Sequence, residues 1–225
     1  MSHLISQLPL RLTLKYITHR DNFLFSNPQV KQALEQADFV YLWGNKSCGK
    51  THLLLAMAEQ IRHSVYLPLD ELVNTASPAV FESLERVPLL CVDDLDAIAK
   101  QRAWQEALFH CFNRLQQTGA RLLVSAHYSP VNIALTLPDL RSRMATALTY
   151  QLTPLTDDDK QRALQLHAQC RGLNLSDDVA AYLLRHYSRD MTQLVTLLSD
   201  LDKAAMSAKR RLTIPFIRKV LDENT

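Results

Sequence analysis

The 225-residue sequence contains little glycine and few cysteines, and it has no long apolar run. With four glycines and no low-complexity segment, we expect no disordered region beyond the first residues. The four cysteines form no CxxC pair and no zinc-site pattern with histidine, which indicates a reduced, cytoplasmic protein. No stretch reaches the ~18 uninterrupted apolar residues of a membrane helix, and the N-terminus lacks the apolar core of a signal peptide.

The charge of the chain is nearly balanced. It has 25 basic and 23 acidic side chains, which gives a formal net charge of +2. Proteins that bind nucleic acid mainly through charge usually show a basic stripe. The one basic run here, Lys209–Arg211, is interpreted as a solvated helix end. The composition therefore predicts a globular protein that does not depend on direct electrostatic binding to DNA.

Short apolar runs alternate with helical periodicity between Asp38 and Leu152. We predict strands at residues 38–43, 64–68, 89–93, 121–126 and 149–152. We predict helices at residues 50–62, 78–85, 103–117 and 138–144. Gly119 is expected to end the third of these helices. Because strands that are apolar throughout are typical of parallel sheets covered on both faces, the pattern predicts an α/β domain.

The strand pattern stops after Pro154. Further helices are expected at residues 157–171, 176–187, 191–208 and 214–222. Thr156 and Ser176 are predicted N-caps, because each stands directly before a run of aspartates. We therefore expect a tail over residues 1–22, an α/β nucleotide-binding domain over residues 23–153, and a small all-α domain over residues 154–225.

The segment Gly44–Thr51 fits the pattern GxxxxGK[ST] without a deviation. It lies between a predicted strand and a predicted helix, where a P-loop uses backbone N–H groups and the helix N-terminus to bind phosphates. Lys50 would reach the β- and γ-phosphates, and the Thr51 hydroxyl would coordinate Mg²⁺. The predicted nucleotide-binding residues are Gly44, Asn45, Lys46, Ser47, Cys48, Gly49, Lys50, Thr51 and His52.

Two aspartates end the predicted strand at residues 89–93. In a P-loop site, an acidic residue at the end of a neighbouring strand orients Mg²⁺, and the next residue can position the attacking water. Since they follow the P-loop by about 40 residues, we expect Asp93 at the metal and Asp94 in a catalytic role. His127, at the end of another strand, is interpreted as a loop residue and not as a base.

With its P-loop, acidic strand end and C-terminal helices, the sequence resembles an AAA+ module. Within that class it is similar to the DnaA-related proteins, and specifically to the Hda group of replication regulators. The likeness covers nearly the whole chain, and its segments are Asp21–Phe23, Val92–Leu95, Leu137–Arg143 and Leu212–Leu221. The resemblance implies an AAA+ P-loop domain with a parallel sheet, then a small all-α lid domain. It also implies ADP or ATP and Mg²⁺ as cofactors.

The tail carries a second likeness. The segment Gln7–Leu12 resembles the short motif by which Hda-type proteins bind the DNA polymerase III β sliding clamp. An extended peptide of this kind can place alternate leucines in an apolar groove. The alternative is an ordinary alternating strand folded back on the domain. The clamp-binding residues implied by the resemblance are Gln7, Leu8, Leu10 and Leu12.

Two further functional positions follow from the same resemblance. Arg143 matches the family's arginine finger, which approaches nucleotide bound to a neighbouring protein, and Arg141 is the alternative. Thr192 falls where DnaA relatives carry the sensor-2 arginine, and Arg189 lies one turn earlier. We therefore expect weak ATP hydrolysis by the chain alone.

The resemblance implies a regulator of replication initiation. Bound to the sliding clamp, and so to DNA only indirectly, the protein would promote hydrolysis of DnaA-bound ATP and prevent re-initiation. The expected partners are DnaA, the clamp and a second copy of the chain, with a location at the nucleoid and not at a membrane. The alternative is a stand-alone AAA+ ATPase such as a DnaC-type helicase loader. We do not favour a DNA-binding initiator fragment, because we expect no helix-turn-helix domain after the last lid helix.

Overall fold

The computed structural model describes residues 23–25, 27–208 and 210–222. The tail motif at Gln7–Leu12 and the segment Asp21–Asn22 therefore lie outside the described residues. Within the described ranges, no helix has both the length and the apolar character needed to cross a membrane.

A parallel sheet of five strands forms the centre of the first part of the chain. The strands are β1 (Phe39–Trp43), β2 (Val65–Pro68), β3 (Leu89–Asp93), β4 (Arg121–Ala126) and β5 (Leu148–Gln151). They lie in the order β2-β3-β4-β1-β5, and every neighbouring pair is parallel. β3 is buried along its whole length, whereas β5 is a largely exposed edge strand. The predicted α/β class with a parallel sheet is confirmed.

Helices cover both faces of this sheet. They are α1 (Pro28–Gln36), α2 (Lys50–Gln60), α3 (Leu69–Thr75), α4 (Arg102–Thr118) and α5 (Pro138–Met144), with 3₁₀ turns at Pro78–Phe81 and Leu95–Ile98. Successive residues of a strand point to opposite faces, so the sheet contributes to two cores. Val40 and Leu42 of β1 pack with α1 and α2. Tyr41 packs on the other face with α3, α4 and α5.

The helical domain follows directly. It consists of α6 (Asp157–Cys170), α7 (Asp177–His186), α8 (Met191–Ala208) and α9 (Ile214–Asp222). These helices pack around a separate apolar core in which Leu164, Leu198 and Ile217 are fully buried. Because this core shares no residue with the two cores of the sheet, the lid is a packing unit of its own. The predicted helical lid is confirmed.

Two helix predictions need correction. The helix predicted at residues 78–85 is wrong, since only a 3₁₀ turn forms at Pro78–Phe81. Glu82 is extended and Ser83 has a φ of 58°, in the left-handed region, and neither conformation can continue a helix. The helices α1 and α3 were not predicted. α1 nevertheless has a clear N-terminal signal, because the Asn27 side chain accepts a hydrogen bond from the Gln29 N–H.

The predicted helix ends are mostly confirmed. The Thr156 hydroxyl accepts a hydrogen bond from the Asp159 N–H at 3.1 Å, as an N-cap should. Ser176 occupies the N-cap position of α7, but its side chain makes no capping hydrogen bond. Gly119 follows α4 with a φ of 71°, the left-handed conformation expected after a helix.

One buried amide joins three segments at the edge of the nucleotide-binding domain. Gln105 of α4 is fully buried. Its Nε2 donates to the carbonyl oxygens of Ile98 and Ala99 at 2.9 and 2.8 Å. Its Oε1 accepts from the Leu137 N–H at 2.8 Å and from the Thr136 hydroxyl at 3.2 Å. Gln105 therefore fixes the turn after β3 against the start of α5.

Replacing Gln105 with alanine should destabilise the fold strongly. The change leaves two carbonyl groups and one N–H group buried without these partners, at a cost of about 1–3 kcal/mol each. We expect the free energy of unfolding in urea to fall by about 3 kcal/mol or more. Gln116→Ala, at an exposed position of the same helix, should change it by less than about 0.5 kcal/mol. Equal effects of the two changes would contradict this assignment.

Candidate functional site

The segment Gly44–Gly49 connects β1 to α2 at the carboxyl edge of the sheet, and Lys50 and Thr51 are the first two residues of the helix. Gly49 is the N-cap residue of α2 with a φ of 94°, and the helix has no side-chain cap. A Cβ atom at Gly49 would lie 2.7 Å from the ring of Phe23, and one at Gly44 would lie 2.2 Å from the Leu152 carbonyl oxygen. Both positions therefore require glycine. The uncapped N–H groups at the start of α2 are suited to an anionic ligand.

Lys50 is a buried cation. Its side chain is 6% exposed. The ammonium donates to the carbonyl oxygens of Gly44 and Asn45 at 2.8 and 3.0 Å, and it lies 3.8 Å from the Cys48 Sγ. It forms no ion pair with a carboxylate of the described residues. Because a buried charge is costly without a counter-charge, the surroundings of Lys50 fit a phosphate group.

A cleft of about 730 Å³ separates the P-loop from the lid. The predicted residues 46–52 and Asp94 line it, whereas Gly44 and Asn45 do not line it and instead accept hydrogen bonds from Lys50 through their carbonyl oxygens. The lid contributes Ala163 and His167 of α6 and the first turn of α8. The structure thus brings the two domains together around the predicted phosphate-binding loop.

Asp93 lies beneath this cleft and does not line it. Its side chain is 1% exposed. Its Oδ2 accepts a hydrogen bond from the Tyr66 hydroxyl at 2.7 Å, and its Oδ1 accepts one from the Ser125 hydroxyl. Burial, followed by the charge of Asp93, raises the pKa of Tyr66, so the phenol keeps its proton for donation. Asp93 therefore joins three neighbouring strands.

Of the two successive aspartates Asp93 and Asp94, Asp94 is the one that faces the cleft. Its backbone adopts a left-handed conformation, with φ 54° and ψ 55°. Burial raises the pKa of its carboxyl group to about 6, helped by the charges of Asp93 and Asp70 and partly offset by His127 and Lys50. A carboxyl group with a pKa near neutrality is typical of functional sites.

An imidazole and two further carboxylates stand beside Asp94. The His127 Nδ1 is 3.4 Å from the Asp96 Oδ2 and 4.0 Å from the Asp94 Oδ1. Asp96 also accepts the His127 backbone N–H, and Asp70 of α3 lines the same end of the cleft. Sequence reasoning missed Asp70 and Asp96. Each of them comes shortly after a strand that ends at this edge. Because ligands of parallel sheets bind at the carboxyl ends of the strands, a search of the residues that follow each strand could have found both.

The lid contacts the P-loop through a carboxylate. The Ser47 hydroxyl donates to the Asp190 Oδ2 at 3.0 Å, and the Asp190 Oδ1 accepts the Gln193 N–H at 3.1 Å. Partial burial raises the pKa of Asp190, but these hydrogen bonds outweigh burial and leave the pKa below its ordinary value. Thr192 lines the cleft nearby, whereas Arg189 is exposed and lies 3.8 Å from the Asp157 carboxylate. No arginine of the described lid residues lines the cleft.

Arg143 lies outside the cleft of its own chain. Its guanidinium is 5.8 Å from the centre of the Phe112 ring on α4, a cation–π contact. Arg141, the alternative finger, is exposed on the same helix α5. Neither arginine can act on a ligand in this cleft from its present position.

Asp94→Asn should stabilise the unliganded protein at alkaline pH. The folded-state pKa near 6 exceeds the usual unfolded value of ~3.9, so the ionised carboxylate opposes folding above pH ~6. Asparagine also tolerates the left-handed backbone. After allowance for solvent screening, we expect a gain of about 1–2 kcal/mol at pH 8 that shrinks as the pH falls from 6 towards 4. Urea unfolding at several pH values measures this gain. A gain independent of pH would contradict the raised pKa of Asp94. The exposed Asp200→Asn serves as control.

Comparison with known proteins identifies both parts of the chain. Residues 24–151 match the family described as the bacterial DnaA ATPase domain, and residues 157–221 match the lid domain of Hda. An uncharacterised protein of Haemophilus influenzae is 40% identical over 228 residues, a match that covers 96% of this chain and 98% of that protein.

Solved structures share the fold at lower identity. Domain III of the Thermotoga maritima replication initiation protein DnaA has a TM-score of 0.71 at 16% identity, over 92% of this chain and 96% of that one. AMPPCP-bound DnaA of Aquifex aeolicus has a TM-score of 0.63 at 20% identity, over 88% of this chain and 70% of that one. The Thermotoga maritima branch-migration motor RuvB reaches 0.60 at 20% identity, over 91% and 71% of the two chains. With an ATPase domain and a lid that both match, the chain belongs to the bacterial DnaA ATPase family and carries the lid of Hda.

Proposed function

We propose that the cleft binds an adenine nucleotide, ADP or ATP, together with Mg²⁺. The observation that carries this proposal is the buried ammonium of Lys50 beside the uncapped start of α2. The related DnaA of Aquifex aeolicus is described as bound to AMPPCP, which supports the same ligand class here. Residues Gly44–His52 would hold the phosphates.

The chain offers two kinds of oxygen ligand for Mg²⁺. Thr51 lines the cleft and would supply its hydroxyl. Asp94 presents its carboxylate to the cleft, while Asp93 lies behind it with both oxygens hydrogen-bonded. The metal role proposed for Asp93 therefore needs an intervening water molecule, whereas Asp94 stands where it can act on the metal or on an attacking water. Bound Mg²⁺ would neutralise charge on the phosphates.

We further propose that the protein regulates the initiation of replication by promoting hydrolysis of ATP bound to DnaA. Arg143 would reach the nucleotide of DnaA and stabilise charge on the transferred phosphoryl group, an effect of roughly 10³–10⁵-fold in related systems. Its position outside the cleft of its own chain supports a role in trans. The tail residues Gln7, Leu8, Leu10 and Leu12 would hold the protein on the sliding clamp, and so near DNA.

The side chains of the lid are consistent with weak ATP hydrolysis by the chain itself. Thr192 stands in the first turn of α8 where a positive charge would contact the nucleotide, and Asp190 brings a negative charge to the P-loop. Arg189 lies beside Asp157 of its own domain. The bound nucleotide would therefore act mainly as a ligand that stabilises the folded protein.

A stand-alone ATPase such as a DnaC-type helicase loader is the second candidate. The observation that favours it is the group formed by Asp94 and His127 at the cleft, with a carboxyl pKa near 6. Such a group could position a water molecule for hydrolysis in cis. The two candidates differ in whose ATP is consumed.

Lys50→Ala should abolish stabilisation by nucleotide. At ADP and Mg²⁺ concentrations near 100 times Kd, the wild type should gain about 2.7 kcal/mol in free energy of unfolding. The variant should gain almost nothing, because it lacks the cation that faces the phosphates. Lys31→Ala, at an exposed position of α1, should keep the full gain. If millimolar ADP and ATP leave the melting temperature of the wild type unchanged, the nucleotide site is overturned.

Arg143→Ala should abolish stimulation of DnaA-bound ATP hydrolysis in the presence of DNA-loaded clamp. The variant should keep its affinity for ADP and nearly its melting temperature, since Arg143 lies outside the cleft and is only half-buried. Phosphate release from radiolabelled DnaA–ATP measures the effect. Ser142→Ala, at an exposed position of the same helix, is the control, and Arg141→Ala tests the alternative finger.

Two further variants separate the candidates in the same assay. Asp94→Asn should leave stimulation intact if hydrolysis in this chain is dispensable. Alanine at Gln7, Leu8 and Leu10 together should abolish clamp binding, and with it the clamp-dependent stimulation, without changing the fold. Loss of stimulation with Asp94→Asn, together with its survival in Arg143→Ala, would instead place the protein among self-sufficient ATPases.

A further inference from the structure

A row of rings crosses from the nucleotide-binding domain to the lid. The centres of Phe23 and His52 are 5.5 Å apart, and the centres of His52 and His167 are 5.6 Å apart. Phe23 precedes α1, His52 lies in α2 directly after the P-loop, and His167 lies in α6 of the lid. All three side chains line the cleft. The row therefore forms a continuous aromatic wall beside the phosphate-binding loop.

His167 is a buried imidazole with an unused hydrogen-bonding atom. Its side chain is 6% exposed, and its Nδ1 is buried without a hydrogen-bond partner. Burial lowers its pKa to about 3, aided by the charges of His52 and Arg171, so the ring is neutral at physiological pH. Buried polar atoms in folded proteins almost always have partners, so a missing one calls for an explanation.

The surroundings of His167 indicate what the partner would be. The lid wall beside it is apolar, formed by Leu155, Ala163 and Val195, and Leu55 of α2 lies opposite. The charged groups of the cleft belong to the P-loop and to the carboxyl edge of the sheet. A ligand that fits both regions has a phosphate chain at one end and a flat, neutral, hydrogen-bonding head at the other.

We propose that His167 is a specificity-determining residue that reads the hydrogen-bonding edge of the nucleobase. The assignment rests on the nucleotide site proposed above. The base lies against the aromatic wall, and a nitrogen of His167 bonds to a donor or acceptor on its edge. The lid, and not the P-loop, thereby selects which nucleoside diphosphate is held.

A neutral imidazole is suited to this task. It donates through one ring nitrogen and accepts through the other, as do the heteroaromatic edges of nucleobases. Half a turn about the Cβ–Cγ bond of His167 exchanges the sides on which its nitrogens lie, and this torsion is two-fold and soft. The ring can therefore turn a nitrogen towards a base without moving α6.

The test compares binding of the Mg²⁺ complexes of ADP, GDP, CDP, UDP and inorganic pyrophosphate by calorimetry. His167→Leu keeps most of the volume and removes both nitrogens. We expect the wild-type Kd values for the four nucleotides to differ by tenfold or more. The variant should bind the preferred nucleotide about tenfold more weakly, a loss of ~1.4 kcal/mol in binding free energy. Its Kd values for the four nucleotides should differ by no more than about threefold. Its affinity for pyrophosphate should equal that of the wild type.

Two variants provide controls. His167→Gln retains a donor and an acceptor and should restore part of the preference. His110→Leu, at an exposed position of α4, should leave every affinity unchanged. The free energy of unfolding of each variant in urea establishes that the lid is folded.

The outcomes separate the inference from the site on which it rests. If His167→Leu keeps the preference for one nucleotide, or if the wild type has no such preference, the role of His167 is overturned but the nucleotide site is not. An equal loss for pyrophosphate and nucleotides in His167→Leu shows a purely structural residue and also overturns it. A wild type that binds neither pyrophosphate nor nucleotide overturns the nucleotide site and this inference together.

Discussion

The carboxyl edge of the sheet depends on one buried carboxylate. Asp93 is held between the Tyr66 hydroxyl of β2 and the Ser125 hydroxyl of β4, and it is almost wholly removed from water. A buried charge is tolerated only when such hydrogen bonds compensate for lost hydration, so these partners are obligatory. They fix the ends of three adjacent strands at the place where the P-loop meets the sheet. The positions of Asp94 and of the lid-facing cleft follow from this arrangement.

Charge is unevenly distributed around the cleft as a consequence. Burial, followed by the charge of Asp93, raises the pKa of Asp94, and the lid adds the carboxylate of Asp190 through its contact with Ser47. Against these, Lys50 is a buried cation with carbonyl partners in its own loop. A site that is both acidic and phosphate-binding is stabilised by a metal ion, since Mg²⁺ bridges carboxylate and phosphate oxygens. We expect the same charges to lower the stability of the protein when the cleft is empty.

The sequence predicted the parts of this site that are local. The apolar runs located the five strands of the described residues, and the pattern around Lys50 located the P-loop. The sequence pattern did not locate α3, because that helix has only seven residues and begins at Leu69, directly after β2 ends at Pro68. Contacts between distant residues, such as those of Tyr66 with Asp93 and of Ser47 with the lid, leave no periodic signal. His167 was missed for this reason, since its significance comes only from the domain that packs against it.

The central claim is that one nucleotide is held by both domains together. Amide hydrogen exchange measured with ADP and Mg²⁺, and separately with pyrophosphate and Mg²⁺, tests it most directly, because exchange reports local opening residue by residue. The account predicts that ADP slows exchange both at the start of α2 and in the first turn of α8, whereas pyrophosphate slows it mainly at the start of α2. Slowing confined to α2 with ADP as well would contradict a shared site.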